Sequence, residues 1–592
     1  MIKIHLSSFR CDEETDDEIG ADEPYALIST VALSPATVAG VAVPQTPLAL
    51  DVTRHVFGEM VTGGRAEWGG DFPAFWGVGN VPAVLGDPND AIFIAGVVEN
   101  DDGDPQILRQ VVKVAVTASV ATTVALARSA KVNTLISDIG SALHIPTGVA
   151  NLDAVRGPPQ EVRFTSAELQ RAEDGERVTS APMAFHGDGA TYTAEFQAVH
   201  VGWCPFKRVA GLGFSAPFGA PSALGMTRNG SVGLCAVVDS DGVPHLTWEE
   251  GDGTFARVGP WHAFERVAPY DARYPDGFTV PPGASFSMAE QSDGTFLMAV
   301  VDRDGTPQLS WEQPGGPWHM FERVAPDGSG DRLTVPGSPL ALVADGHGIL
   351  VVAVVDRDGT PQWSWQQPGA AWHPFVPVAA DGSGDRLSAP GAALALAQQN
   401  DGTLALAVID RDGTPMLSWQ QPGVPWHPFV PVAADGSADR LCSPATPLAF
   451  GAQKDGTLVL AVADQGGVPR LSWQQPGAAW HSFVRLAPFD SRYPDGFTIP
   501  TGAWLTIMTQ SDGMLVLVVV DRTGVPQLTW QRPGDSWHTF ERVAARDPRF
   551  PDGFTVPPGA PVSAAQPSDG TTVLVAVGND HLPYMSWRLD QP

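Results

Sequence analysis

The sequence is poor in cysteine and in clustered basic residues. Its four cysteines, Cys11, Cys204, Cys235 and Cys442, lie in 592 residues without a CxxC pair, which argues against a disulfide framework or a zinc site and predicts small buried thiols. Lys and Arg number 35 against 66 Asp and Glu, giving a formal charge of −31, and the basic residues form no cluster. Binding to nucleic acid or to an anionic membrane is therefore disfavoured.

Export and membrane signals are also lacking. The first residues, MIKIHLSSFRCDEETDDE, contain no apolar stretch of signal-peptide length. The longest apolar segment, 107–130, is interrupted by Arg109, Lys113 and Arg128, so it does not predict a membrane span. We expect a soluble protein that is cytoplasmic or released by a non-classical route.

Two tryptophan patterns dominate the rest of the chain. The first, W-H-x-F-x-x-V/L-A, recurs at intervals of 58, 57, 54, 54, 54 and 57 residues, and the second, P-x-x-S/T-W, alternates with it. The first pattern begins at Trp203 (with Cys204 in place of His), Trp261, Trp318, Trp372, Trp426, Trp480 and Trp537. The second pattern ends at Trp248, Trp311, Trp365, Trp419, Trp473, Trp530 and Trp587. A fixed period of this length indicates a repeat architecture.

Each repeat predicts four short strands. In the unit at 390–432, apolar runs are separated by the turn sequences NDGT, RDGTP and PG, and glycine supplies the positive φ that tight hairpins require. Seven such four-stranded units predict a mainly β, seven-bladed β-propeller. The last unit lacks a fourth strand, so we expect the isolated strand at 203–210 to pair with it and to close the ring.

With its aromatic strand, its Trp-x-x-Pro-Gly-x-x-Trp hairpin and its apolar innermost strand, the unit resembles bacterial and fungal propeller lectins. Those lectins bind fucose and related or O-methylated sugars between blades. Over about residues 203–592 the chain is similar in layout to the Photorhabdus-type lectins. The resemblance implies a multivalent carbohydrate-binding protein with glycans as partners and without enzymatic activity.

A sugar site needs an aromatic plate and a few fixed polar groups, and each repeat offers both. The candidate plates are the fourteen repeat tryptophans except Trp203. Candidate polar groups are the histidines of the W-H pairs and the arginines of the D-R turns, whose planar fork can hold two hydroxyls. These are His262, His319, His373, His427, His481, His538, Arg303, Arg357, Arg411 and Arg522. Packing between blades is the alternative for the tryptophans, and hydrogen bonding to backbone is the alternative for the histidines.

Two other functions stay open. The connections at 269–284, 488–503 and 545–560, and their short counterparts at 327–333, 381–387 and 435–441, could serve a protein-interaction or targeting platform. Hydrolysis is the least supported function, because near-identical units are the opposite of one asymmetric active site. No catalytic constellation can be assigned among the six tyrosines and the repeated acids.

Residues 1–200 lack the repeat and hold 27 acidic against 12 basic residues. Apolar strands at 2–8, 25–33 and 91–98, a helical stretch at about 106–143 and later strands at 161–164 and 191–199 predict a β-sandwich-like domain with a helical insertion. The predicted boundary lies near residue 200, with the propeller occupying 201–592.

Two acidic loops end strands of this first domain, an arrangement suited to Ca²⁺, which takes oxygen ligands from flexible loops. In layout it loosely resembles the calcium site of C2 domains. The candidate ligands are Asp16, Asp17, Asp22, Glu99, Asp101, Asp102 and Asp104. Solvated acidic loops without a cation are the alternative.

Overall fold

In the computed structural model the chain forms two compact units, Met1–Cys204 and Pro205–Gln591. The structure describes residues 2–14, 23–38, 41–67, 74–76, 85, 87–99, 104–144, 157–173, 177–187, 189–209, 214–226, 233–248, 261–267, 274, 277–344, 348–486, 493, 496–543, 550, 553–566 and 571–588. None of the helices in those ranges is long and apolar enough to cross a membrane.

The first unit combines nine strands and three helices within the described residues. Its elements are β1 (Ile2–Glu13), β2 (Pro24–Val38), β3 (Val41–Val56), β4 (Arg65–Glu67), β5 (Ala91–Glu99), α1 (Pro105–Thr122), α2 (Arg128–Leu143), β6 (Gln160–Val162), α3 (Ser166–Glu173), β7 (Val178–Thr179), β8 (Met183–Gly187) and β9 (Ala190–His200). One antiparallel sheet has the order β4-β1-β9-β7 with β8 also paired to β9, and the other has the order β3-β2-β5-β6.

Strand β5 carries apolar residues on both faces because both faces are covered. Phe93 packs into one core with Leu6 of β1 and Phe196 of β9, so the two sheets lie face to face. Ile94, on the opposite face of β5, packs into a second core with Leu135 of α2. The order of layers is thus sheet, sheet and helices, and the alternation along β5 follows the two-residue period of a strand.

The segment that the sequence predicts as one helical stretch forms two helices. Asp104 caps α1 by accepting a hydrogen bond from the Gln106 N–H, with Pro105 in the first turn. The helix ends at Thr122, and the Thr123 hydroxyl donates to the Ser119 carbonyl. Hydrogen bonding of this kind competes with continuation of the helix.

The second unit contains seven four-stranded antiparallel sheets in the part of the chain that the structure describes. We number them in chain order. Sheet 1 is β11 (Ser222–Met226), β12 (Gly233–Val238), β13 (Pro244–Trp248) and β14 (Glu265–Arg266). Sheet 2 is β15 (Ser287–Glu290), β16 (Phe296–Val301), β17 (Pro307–Glu312) and β18 (Glu322–Arg323). Sheet 3 is β19 (Leu340–Ala344), β20 (Leu350–Val355), β21 (Pro361–Gln366) and β22 (Val376–Pro377). Sheet 4 is β23 (Leu394–Gln398), β24 (Leu404–Ile409), β25 (Pro415–Gln420) and β26 (Val430–Pro431).

The remaining three sheets follow the same order. Sheet 5 is β27 (Leu448–Ala452), β28 (Leu458–Ala463), β29 (Pro469–Gln474) and β30 (Val484–Arg485). Sheet 6 is β31 (Leu505–Thr509), β32 (Leu515–Val520), β33 (Pro526–Gln531) and β34 (Glu541–Arg542). Sheet 7 is β35 (Ser563–Ala565), β36 (Thr572–Val577) and β37 (Pro583–Arg588), with β10 (Lys207–Arg208) as its fourth strand.

The turn between the second and third strands repeats one hydrogen-bond arrangement. In sheet 3, Oδ1 of Asp356 accepts from the N–H groups of Asp358 and Thr360, while Oδ2 accepts from the Gln362 amide. Gly359 has a φ of 90°, and a Cβ there would lie 2.0 Å from the Ser388 carbonyl oxygen. Only glycine fits this position, which explains the recurrent D-x-D-G sequence.

The fourth strands are shorter than the sequence predicts. The eight-residue segment at 203–210 contributes two paired residues, Lys207 opposite Met585 and Arg208 opposite Tyr584. The first strand of each sheet contacts the first strand of the next sheet, and β11 of sheet 1 contacts β35 of sheet 7. The sheets therefore meet along their first strands.

Candidate functional site

The two tryptophan patterns meet within each sheet. In sheet 3 the Ser364 hydroxyl donates to the His373 carbonyl at 2.6 Å, and the His373 N–H donates to the Trp365 carbonyl at 2.9 Å. The two rings then stack with centroids 4.1 Å apart. The same stacking joins Trp248 to His262, Trp311 to His319, Trp419 to His427, Trp473 to His481 and Trp530 to His538. Each of these histidines thus covers part of an indole and ties two strands together.

The arginines of the D-R turns reach the main chain of the preceding sheet. Nε of Arg357 donates to the Thr334 carbonyl at 2.9 Å, and its Nη2 donates to the Asp304 carbonyl at 2.6 Å. Arg303, Arg411 and Arg522 make the equivalent pairs of bonds. In this structure the planar fork clamps two adjacent sheets. Sugar binding by these arginines stays a prediction.

We call the space between consecutive sheets a cleft and name it by the two sheets. A cavity of about 950 Å³ lies in cleft 1/2, between Trp248 and Arg266 of sheet 1 and Glu312 and Trp318 of sheet 2. Its apolar wall includes Leu246. The described lining thus combines two indoles, a guanidinium and four carboxylates, a set that can hold a sugar ring by its apolar face and by its hydroxyls.

Cleft 5/6 holds a cavity of about 700 Å³ with the same framework. Trp473 and Arg485 of sheet 5 face Gln531 and Trp537 of sheet 6. The structure therefore brings both predicted kinds of tryptophan into each cavity, one from each neighbouring sheet. The stacked histidines are not among the residues described as lining either cavity.

Arg266 and Arg485 were not among the predicted site residues. They lie on the fourth strands, five residues after the tryptophan of the W-H pair, where Arg208, Arg323 and Arg542 occupy equivalent positions. In sheets 3 and 4 the equivalent residues are Pro377 and Pro431. The motif W-H-x-F-x-R, present in some repeats and absent in others, was the available signal.

Three other tryptophans of the second pattern are covered by side chains of the chain itself. Trp365 stacks on Trp363 at 4.3 Å as well as on His373, and Trp363 also makes an edge contact with Trp426 of sheet 4. The Arg588 guanidinium lies 6.0 Å from the ring of Trp530. The Lys207 ammonium likewise lies 5.2 Å from the ring of the fully buried Trp587. The clefts are thus unequal, although the sequence pattern is regular.

The predicted calcium ligands lie mostly beyond the described residues. Asp16, Asp17, Asp22, Asp101 and Asp102 fall outside them. Asp104 is engaged in capping α1, and Glu99 is buried at the end of β5. Among the described residues no group of three His, Cys, Asp or Glu side chains could hold a metal ion. Calcium binding by the acidic loops stays a prediction.

Comparisons with protein families and with curated proteins find no match. Among solved structures, the BP39L lectin from Burkholderia pseudomallei matches 63% of this chain and 96% of its own, with a TM-score of 0.52 and 18% identity. The AofleA protein from Arthrobotrys oligospora and the lectin from Aleuria aurantia match with TM-scores of 0.40 and 0.37 at 13% and 11% identity, covering 56% and 59% of this chain and 88% and 99% of theirs. The first similarity identifies a fold. The chain has a mainly β structure of the lectin β-propeller kind.

Proposed function

We propose that this protein is a lectin that binds sugars in clefts 1/2 and 5/6. The observation that carries the proposal is the pair of cavities at equivalent positions, each with an indole and a guanidinium from one sheet and a second indole from the next. Indoles suit the apolar face of a sugar ring, and the arginine fork suits vicinal hydroxyls. The lectin fold supports the same function by analogy.

We also propose that the seven sheets are the blades of one closed propeller. Pairing of β10 with β37 and contact of β11 with β35 support this arrangement. A closed ring leaves only the short fourth strands as sheet edges.

Two sites on one molecule make the proposed lectin multivalent. Simultaneous binding of two glycans raises avidity on a glycan-coated surface without any new contact. Fucosylated and O-methylated sugars are the first ligands to test, since lectins of this fold kind include the fucose-specific lectin from Aleuria aurantia.

The test combines a glycan array with calorimetry on the full-length protein. We expect Arg266→Ala to weaken binding in cleft 1/2 and Arg485→Ala to weaken binding in cleft 5/6, each by about 10- to 100-fold for the best array ligand of that cleft, the range for losing charged hydrogen bonds. Arg303→Ala is the matched control and should keep both sites, because Arg303 is bonded to main chain outside the cavities. An array without any bound glycan would overturn the proposal and favour the protein-interaction alternative.

A further inference from the structure

The cavities in clefts 1/2 and 5/6 share a framework but differ in charge. At three equivalent positions cleft 1/2 has an acid where cleft 5/6 has a neutral residue: Glu265 against Val484, Glu290 against Thr509, and Glu312 against Gln531. Among the described residues, four carboxylates, with Asp293 as the fourth, and one guanidinium line the cavity in cleft 1/2. The described lining of cleft 5/6 has two carboxylates and one guanidinium.

Glu312 shows that this difference is not required by folding. At its position in other sheets, the Gln366, Gln474 and Gln531 amides donate to the carbonyl four residues ahead, at 2.9, 2.8 and 2.7 Å. These bonds stabilise the Pro-Gly hairpin, and a carboxylate has no proton to donate. The described residues of sheet 2 therefore lack the bond that Gln366, Gln474 and Gln531 make in sheets 3, 5 and 6.

The Glu312 carboxylate has no hydrogen bond or ion pair in the part of the chain that the structure describes. Burial in the cleft raises its pKa above the ordinary value. A partly buried carboxylate that folding does not use is stabilised by a ligand that supplies a donor or a positive charge.

The walls of the cavity suit an organic cation as well. Trp248 and Trp318 present indoles on opposite sides of the cleft, and an ammonium group near an indole face is attracted by the ring. Arg266 lines the same cavity.

Resting on the proposed lectin function, we propose that cleft 1/2 is selective for amino sugars with a free ammonium group, which Glu312 binds as the acceptor. Cleft 5/6, where Gln531 replaces Glu312, binds neutral sugars. The protein thus carries two sites of different specificity on one repeat framework.

The test uses full-length protein and two matched probes, the β-1,4-linked glucosamine tetramer and its fully N-acetylated form, with galactosamine and N-acetylgalactosamine as a second pair. Calorimetry at pH 7 should show at least tenfold tighter binding of the amine form, at one site per chain, with affinity falling as salt is raised. Glu312→Gln should abolish the preference, and Gln531→Glu should create a second amine-selective site.

The outcomes separate this inference from the proposed function. Equal affinity for the amine and acetylated probes, or an unchanged preference in Glu312→Gln, would overturn the amino-sugar site. The proposed lectin function would still hold if neutral sugars bound in a way that depends on Arg485. Absence of all sugar binding would overturn both. If Glu312→Gln still binds neutral sugars at cleft 5/6, the variant is folded. The second amine-selective site expected in Gln531→Glu is an independent test, because it does not use the Glu312→Gln variant.

Discussion

Arginine occupies two positions in the repeat, and only one of them faces a described cavity. Arg357 in a D-R turn clamps the main chain of the neighbouring sheet, whereas Arg266 on a fourth strand lines a cleft. The D-R turn arginine occurs in four sheets and the fourth-strand arginine in five, so recurrence in the repeats does not separate the two kinds. Pro377 replaces the fourth-strand arginine in sheet 3. Which arginine lines a cavity depends on the packing of neighbouring sheets, which the local sequence pattern does not contain.

Two buried histidines in the first unit predict sensitivity to acid. Burial lowers the pKa of His5 to about 4, with repulsion from Lys3 and Arg177, and burial with repulsion from His5 lowers the pKa of His55 to about 4. In the unfolded chain both would titrate near 6.5, so the unfolded state binds more protons between those values. Stability is fully present above pH 6.5 and declines as pH falls toward 4, by roughly 3 kcal/mol per histidine.

Calorimetric unfolding of the full-length protein between pH 7 and pH 4 measures this decline. His5→Gln should flatten the pH dependence of the transition assigned to the first unit. The control is His319→Gln, which replaces an exposed histidine of the second unit. It should leave the pH dependence of the transition assigned to the first unit unchanged. A profile equally steep in His5→Gln would contradict the prediction.

At the scale of elements, the contacts between sheets depend on turns more than on the fourth strands. The fourth strands hold two paired residues each, while the D-x-D-G turns carry side-chain hydrogen bonds to the preceding sheet. In sheet 5 Gln465 replaces the clamp arginine and donates to the Arg440 carbonyl at 2.8 Å and to the Cys442 carbonyl at 3.3 Å. The amide thus keeps a bond to the connection between sheets 4 and 5, whereas the arginines also reach the turn of the preceding sheet.

Replacing Arg357 tests the contribution of these bonds. We expect Arg357→Ala to lower the free energy of unfolding by about 1 kcal/mol, since one part-buried and one exposed hydrogen bond to carbonyls are lost. Arg357→Gln should retain part of that stability, because a glutamine amide at this position can bond the connection between sheets, as Gln465 does in sheet 5. Chemical denaturation measures the free energy of unfolding of both variants. A loss of sugar binding without a loss of stability would contradict the structural role and show that Arg357 binds sugar.

The sequence predicts the strands of the repeat, but not the end of α1 or the length of the fourth strands. Hairpin turns with Asp-Gly and alternating apolar runs specify the four strands per repeat, and the mainly β fold of the lectin-propeller kind is confirmed. Helix α1 ends at Thr122 in a segment without glycine or proline, so nothing in composition marked the break. The length of the fourth strands depends on contacts between sheets, which local pattern does not contain.

At the scale of the whole molecule, one short segment joins the beginning of the second unit to its end. Lys207 and Arg208 pair with β37, and the Val209 N–H donates to the Pro583 carbonyl at 3.0 Å. Phe206, fully buried, stacks on Phe554 at 3.9 Å. The segment thus covers the outer edge of the last sheet.

Two deletions test the role of this segment. We expect a chain lacking residues 1–209 to have a free energy of unfolding about 3 kcal/mol or more below that of a chain lacking residues 1–201. The reason is that burial of Phe206 is lost and the edge of β37 is exposed. We also expect the shorter chain to aggregate more readily. Identical denaturation curves for the two deletions would show that β10 contributes nothing to closure.

Trp363 makes sheet 3 differ from the other sheets at one position of the repeat. Its position in the P-x-x-S/T-W pattern is leucine in sheets 1, 2, 4, 5 and 6, yet in sheet 3 the indole lies against Trp365 and Trp426. Under the proposed lectin function, this indole competes with a sugar for the apolar wall of the cleft between sheets 3 and 4, and its covalent attachment gives it a high effective concentration. One substitution in one sheet would thus close one cleft to sugars while the other clefts keep theirs.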